Sequence, residues 1–135
     1  MPCPFFHPTE PLMPTRASRA APLGDLYRGE CRASAEPHQP AESELRDWCN
    51  LGYGRQGCGR FPAGTEAHDA ARFSIARDCD GNITVRYSLE RDHRPGECGE
   101  LCYARAGRAF VTPHANPLIN RLAEAYVEAY LRRRP

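Results

Sequence analysis

The chain contains no lysine: all 18 of its basic residues are arginine, set against 17 acidic residues for a formal net charge of +1. A GC-rich coding sequence accounts for that bias. The two signs are evenly mixed, and one dominates only in the run Arg132, Arg133, Arg134. Strong electrostatic capture of nucleic acid or of an anionic membrane is therefore not expected. No apolar run reaches membrane length. The opening Met-Pro-Cys-Pro-Phe-Phe-His-Pro lacks both the positive n-region and the apolar h-region of a secretory signal, which gives an expectation of a cytoplasmic protein with reduced thiols. There is no phosphate loop and no recognisable catalytic nucleophile. Seven cysteines, an odd number, cannot all pair within one chain, so metal ligation is the better default for those that cluster.

A length of 135 residues fits one domain. Its halves read differently: 1–64 as a cysteine-containing arm, short helix and loop, and 65–135 as a β-hairpin or sheet followed by a helix. Eight of the 13 prolines fall in residues 1–40, where neither helical nor alternating periodicity persists, so this part reads as an extended arm, mobile without a ligand. Pro40 and the acidic residues after it start a short helix over Ala41–Asn50, with Leu45, Trp48 and Cys49 on one face. Tyr53 to Gly64 is a glycine-rich loop.

From Ala70 the period becomes two. Phe73 and Ile75, then Ile83, Val85, Tyr87 and Leu89, alternate with polar neighbours and predict two strands joined by a tight turn at Asp80-Gly81-Asn82. A third strand is expected from about Gly99 to Arg105. Asn116 as cap, Pro117 at the first helical position, and Ile119, Leu122, Tyr126, Ala129 and Tyr130 at helical spacing predict a carboxyl-terminal helix. Arg132 to Arg134 then fall where the helix dipole favours positive charge. The expected fold class is α+β: a metal-organised amino-terminal arm and short helix, packed on a small antiparallel sheet of about three strands with a carboxyl-terminal helix.

Cys3, Cys31, Cys49 and Cys58 stand outside the strand pattern, beside proline or glycine or at a helix end, and form a candidate four-thiolate site. Soft thiolates suit zinc or an iron–sulfur cluster. The intervals of 27, 17 and 8 intervening residues suit either metal, and no close Cys-x-x-Cys pair chooses between them. Free cysteine is also an ordinary small buried hydrophobe. Phe5, Phe6, Trp48, Tyr53 and Phe61 beside the cysteines offer a dry shell, which tilts the reading toward one 4Fe-4S cluster, with structural Zn2+ as the alternative. His7, four residues after Cys3, is an alternative ligand.

Cys79 lies beside a plain β-turn, since the Asp78–Asn82 stretch lacks the glycine and distal glutamate of a calcium loop. Cys98 and Cys102 share a strand face. Asp92 and His93, at a strand end, form an acid/base pair that a thiol nucleophile would have to complete. The phrases Asp47-Trp-Cys-Asn-Leu-Gly-Tyr-Gly, Cys58-Gly-Arg-Phe-Pro62, Met1-Pro-Cys-Pro-Phe-Phe, Ala71-Arg-Phe-Ser and Glu90-Arg-Asp-His93 together resemble an uncharacterised group of small bacterial cysteine-containing proteins. That resemblance implies a bacterial source and no particular activity.

The functional expectation is a small cytosolic iron–sulfur protein in electron transfer, or an accessory subunit with a protein partner. The alternatives are a structural zinc interaction module and, more weakly, an enzyme using Asp92 and His93.

Overall fold

The computed structural model describes residues 1–12, 22–62 and 67–133. In chain order these form β1 (Phe6–Pro11), β2 (Tyr27–Cys31), α1 (Glu42–Glu44), β3 (Ala70–Cys79), β4 (Asn82–Arg91), β5 (Arg94–Ala104), β6 (Ala109–Phe110) and α2 (Pro117–Arg133). α1 runs directly into a π-helical turn over Leu45–Cys49, and a 3-10 turn covers Gly54–Gln56. The architecture is mostly β: an antiparallel pair β1-β2 and a four-stranded antiparallel meander β3-β4-β5-β6, with two helices.

This corrects the α+β expectation in two ways. The main sheet has four strands rather than about three, because β5 begins at Arg94, well before Gly99, and β6 adds an edge. The described parts of the arm, residues 1–12 and 22–40, are not an extended segment waiting for a metal to organise it, and residues 13–21 lie outside the described residues. β1 and β2 pair from Phe6 opposite Cys31 to Pro11 opposite Tyr27, and Phe6, Leu23 and Tyr27 are buried in the same core as Val85 and Leu122. Pro8 and Pro11 sit in a two-stranded ribbon, where a missing N–H costs little.

Both long hairpins turn through two residues with positive φ, Asp80 (54°) with Gly81 (79°), and Asp92 (50°) with His93 (62°). Such paired left-handed residues match the twist of the flanking strands. Ala71, Phe73, Ile83, Val85, Leu101 and Tyr103 turn one face of the meander inward, and Phe73 stacks on Tyr126 of α2 at 5.8 Å. A register shift between Ser88 and Glu90 lets the adjacent Leu89 and Glu90 both be buried.

α2 is the centre of the molecule. Asn116 Oδ1 accepts the Leu118 N–H at 3.0 Å, the expected cap. Ile119, Leu122, Ala123, Ala125, Val127 and Ala129 are buried; at 100° per residue they cover more than half the circumference. The helix contacts β1 as well as β3 and β4. The Tyr27 hydroxyl donates to the Ala125 carbonyl at 2.7 Å, and Arg121 donates to the Pro8 carbonyl at 2.7 Å. At its end Arg132 and Arg133 close on Asp25 at 2.7 and 2.6 Å, which accounts for two of the three terminal arginines. Arg134 lies outside the described residues.

Asp25, Asp69 and Glu90 are held below their ordinary range although burial opposes this: Asp25 by Arg132 and Arg133, Asp69 by the Asp92 N–H and Arg55, and Glu90 by the Tyr53 hydroxyl and Arg72. A depressed folded-state pKa contributes stability that is present above the unfolded value, about 4, and is lost as pH falls through the folded value. Urea midpoints are expected to fall between pH 7 and pH 3. Asp69→Asn is expected to lower the pH 7 midpoint and narrow that gap; an equally wide gap in the variant would contradict the assignment.

Candidate functional site

Cys3, Cys31, Cys49 and Cys58 arrive at one cavity from four separate segments. Its wall also includes Phe5, Phe6, Ala33, Trp48, Gly54, Arg60 and Phe61, and its cavity volume is about 20 Å³. All seven cysteines are free thiols. Among the described residues, no group of three or more His, Cys, Asp or Glu side chains converges as ligands of a metal ion. The four cysteines line the same pocket.

Each wall is fixed by local physics. Cys3 precedes a turn closed by the Phe6 N–H to the Cys3 carbonyl at 3.1 Å, and its own N–H donates to the Cys49 carbonyl at 3.0 Å. Cys31 ends β2, and its N–H and carbonyl bond both ways with His38 at 2.8 and 2.9 Å. Cys49 closes the π-helical turn, with Asn50 N–H reaching back five residues to the Leu45 carbonyl at 3.1 Å. Asn50, 1% exposed, accepts from the Tyr27 N–H at 2.9 Å and donates to the carbonyls of Tyr27 (3.0 Å) and Leu45 (2.8 Å). It locks the Cys49 wall to the Cys31 strand.

Cys58 comes from the loop after α1. Its N–H donates to the Gly54 carbonyl at 2.6 Å. A β-carbon at Gly57 would lie 2.2 Å from the Trp48 ring, so only glycine lets the loop lie on the indole. Phe61 meets Phe5 edge-on at 5.7 Å, and the Arg55 guanidinium lies 4.8 Å from the Phe61 ring centre.

Burial pushes the Cys3 thiol up to about 12 against the opposing amides of Phe5 and Phe6, and Cys31 and Cys58 add to the rise. Burial likewise pushes Cys49 to about 12, with Cys3, Cys31 and Cys58 the next contributors. Ionising Cys3 or Cys49 is thus opposed first by burial and then by charge on the neighbouring thiols, a cost that a bound cation would offset. Protonated cysteines of this kind are poor nucleophiles.

The other candidates lie elsewhere. His7 is the next residue of β1 after the cavity-lining Phe6, and strand alternation turns it to the opposite face; it is not among the cavity-lining residues. Cys79, Cys98 and Cys102 are on the meander, Cys98 beside Ser88 at 3.5 Å. Asp92 and His93 form the β4-β5 turn. Their N–H groups donate to Asp69 Oδ2 (2.9 Å) and the Tyr53 hydroxyl (3.0 Å), and the His93 ring stacks on Tyr53 at 4.3 Å. No cysteine stands beside them in these contacts, so their visible role is to tie the turn to the Tyr53 segment.

The residues that the sequence reading missed are Asn50, Arg55, Asp69 and Glu90. Asp69 and Glu90, 2% and 6% exposed, are buried carboxylates each held by an arginine, Arg55 at 2.8 Å and Arg72 at 2.7 Å. No short-range pattern announces them. No helix among the described residues is long and apolar enough to cross a membrane. No family model matches the chain, and neither a curated protein nor a solved structure matches it.

Proposed function

We propose that the chain is a small cytosolic protein that holds one iron–sulfur cluster, of the 4Fe-4S type, through Cys3, Cys31, Cys49 and Cys58, and serves in electron transfer or as an accessory subunit of a larger complex. The observation that carries this reading is the single cavity lined by all four thiols and by Phe5, Phe6, Trp48 and Phe61. A single zinc ion bonded to sulfur at about 2.3 Å draws its thiolates to within about 4 Å of one another. The aromatic lining of Phe5, Phe6, Trp48 and Phe61 offers the dry shell that favours a cluster over zinc.

The apolar wall keeps water from a bound cluster and, with the Phe5 and Phe6 amides beside the Cys3 sulfur, bears on its potential. The cluster would supply one-electron chemistry; the chain would supply the four thiolates and the dry wall.

Trp48 is the only tryptophan and stands in the cavity wall. Anaerobic reconstitution with iron and sulfide is expected to give a brown protein absorbing at about 400 nm and to quench the Trp48 emission as the cluster fills, because the cluster absorbs in the same spectral region. Zinc is colourless and redox-inert, and would leave little quenching. A colourless protein with one tightly held zinc and bright Trp48 emission would replace the cluster reading with the structural zinc module.

A further inference from the structure

The four walls of the cavity are not equally fixed. Cys3 is bonded through its N–H to the Cys49 carbonyl, Cys31 is anchored in β2 and to His38, and Cys49 is buried in the helical turn that Asn50 locks to β2. Withdrawing any of these three opens a sheet pairing or the core. Cys58 belongs to a glycine-rich loop, Tyr53 to Phe61, that contains Gly54, Gly57 and Gly59, and its own N–H bonds within that loop, to the Gly54 carbonyl.

That segment is tied down at one end by named contacts. Tyr53 N–H donates to the Asp69 carbonyl at 2.9 Å, and the Tyr53 hydroxyl donates to Glu90 Oε1 at 2.8 Å. Arg55 Nε donates to Asp69 Oδ1 at 2.8 Å and Nη2 to the Ala67 carbonyl at 2.6 Å, while its guanidinium rests on Phe61, three residues beyond Cys58. Asp69 is itself held by the Asp92 N–H of the β4-β5 turn. Arg55 therefore spans the segment, gripping the body of the protein with its polar edge and the far end of the loop with its face.

We propose that Arg55 is a latch, a positioning residue that holds the Cys58 segment closed over the cavity, and that the bound group enters and leaves by displacement of this segment rather than by opening of the sheets. The inference rests on the reading that the cavity holds a metal group, but the latch itself has a test that needs no metal. Arg55 touches none of the four sulfurs in the contacts above; its effect passes through Phe61 and the loop backbone to Cys58.

The experiment compares wild type with Arg55→Gln and Phe61→Leu, and with Arg132→Gln, which loosens the remote clamp on Asp25. In metal-free, reduced protein, alkylation by iodoacetamide is followed cysteine by cysteine with peptide mass spectrometry. Loss of this partly buried ion pair should speed labelling of Cys58 about tenfold in Arg55→Gln, leaving Cys49 and Cys31 unchanged. Phe61→Leu should act in the same direction, and Arg132→Gln should not favour Cys58. In parallel, transfer of iron from reconstituted protein to a chelator should be faster by a similar factor in the first two variants only. Cys58 labelling no faster in Arg55→Gln and Phe61→Leu than in Arg132→Gln would overturn the latch. If the wild-type protein takes up no iron and sulfide, the cluster reading falls while the labelling result still decides the latch.

Discussion

Replacing Cys49 with serine is expected to lower the retention of iron by more than about a hundredfold, since outer-shell partners of a metal site alone are worth ten- to a hundredfold. Serine keeps the size of the side chain and loses the soft thiolate. The Cys49 carbonyl that receives the Cys3 N–H belongs to the backbone and survives the change. A hydroxyl placed at this position, 8% exposed, costs about 1 kcal/mol if it finds no partner. The fold should therefore persist, with a melting temperature lowered by several degrees. Cys58→Ser, on the loop, should lose iron comparably with less effect on melting. Cys79→Ser, Cys98→Ser and Cys102→Ser should load as wild type does. Full iron content in both Cys49→Ser and Cys58→Ser, measured after gel filtration, would remove the four-thiol site from consideration.

That Cys3, Cys31, Cys49 and Cys58 line one pocket was legible because each interrupts its surroundings: Cys3 and Cys31 in irregular sequence, Cys49 at the end of an apolar helix face, Cys58 among glycines. Their aromatic neighbours in sequence, Phe5, Phe6, Trp48 and Phe61, became neighbours in space because they travel with the cysteines on the same short segments. The carboxyl-terminal helix and the Asp80-Gly81 hairpin were equally readable, since cap, periodicity and turn residues are local signals.

What escaped the sequence was set by distant partners. β1 and β2 contain Pro8, Pro11 and Gly29, which suppress a strand reading, yet pairing across the ribbon and burial of Phe6 and Tyr27 against α2 hold them. β5 opens with Arg94-Pro95-Gly96, a sequence suited to a turn, and becomes a strand because the Asp92-His93 turn delivers it to β4 in register. The metal was assigned the task of ordering an arm that strand pairing and the core order without it. A bound cluster would then add stability to a folded site rather than create the fold.

Asn50→Ala is expected to be the most damaging single polar substitution in the chain, costing about 3–5 kcal/mol. The side chain satisfies three buried backbone groups at once: the N–H and carbonyl of Tyr27 and the carbonyl of Leu45. Alanine leaves all three without these partners, and each stranded group costs about 1–3 kcal/mol where no water replaces the amide. Asn50→Asp keeps the acceptor for Tyr27 N–H but loses both donors and places a charge in a site 1% exposed, so it should be no milder. The damage should also be directional. Asn50 joins the turn carrying Cys49 to the strand that ends in Cys31, so its loss should separate two walls of the cavity before it unfolds the meander. Hydrogen exchange on Asn50→Ala is expected to show early loss of protection in residues 27–31 and 45–50, with β3, β4 and β5 retaining theirs. Uniform loss across all strands would show that the asparagine stabilises the molecule as a whole and has no particular hold on the site.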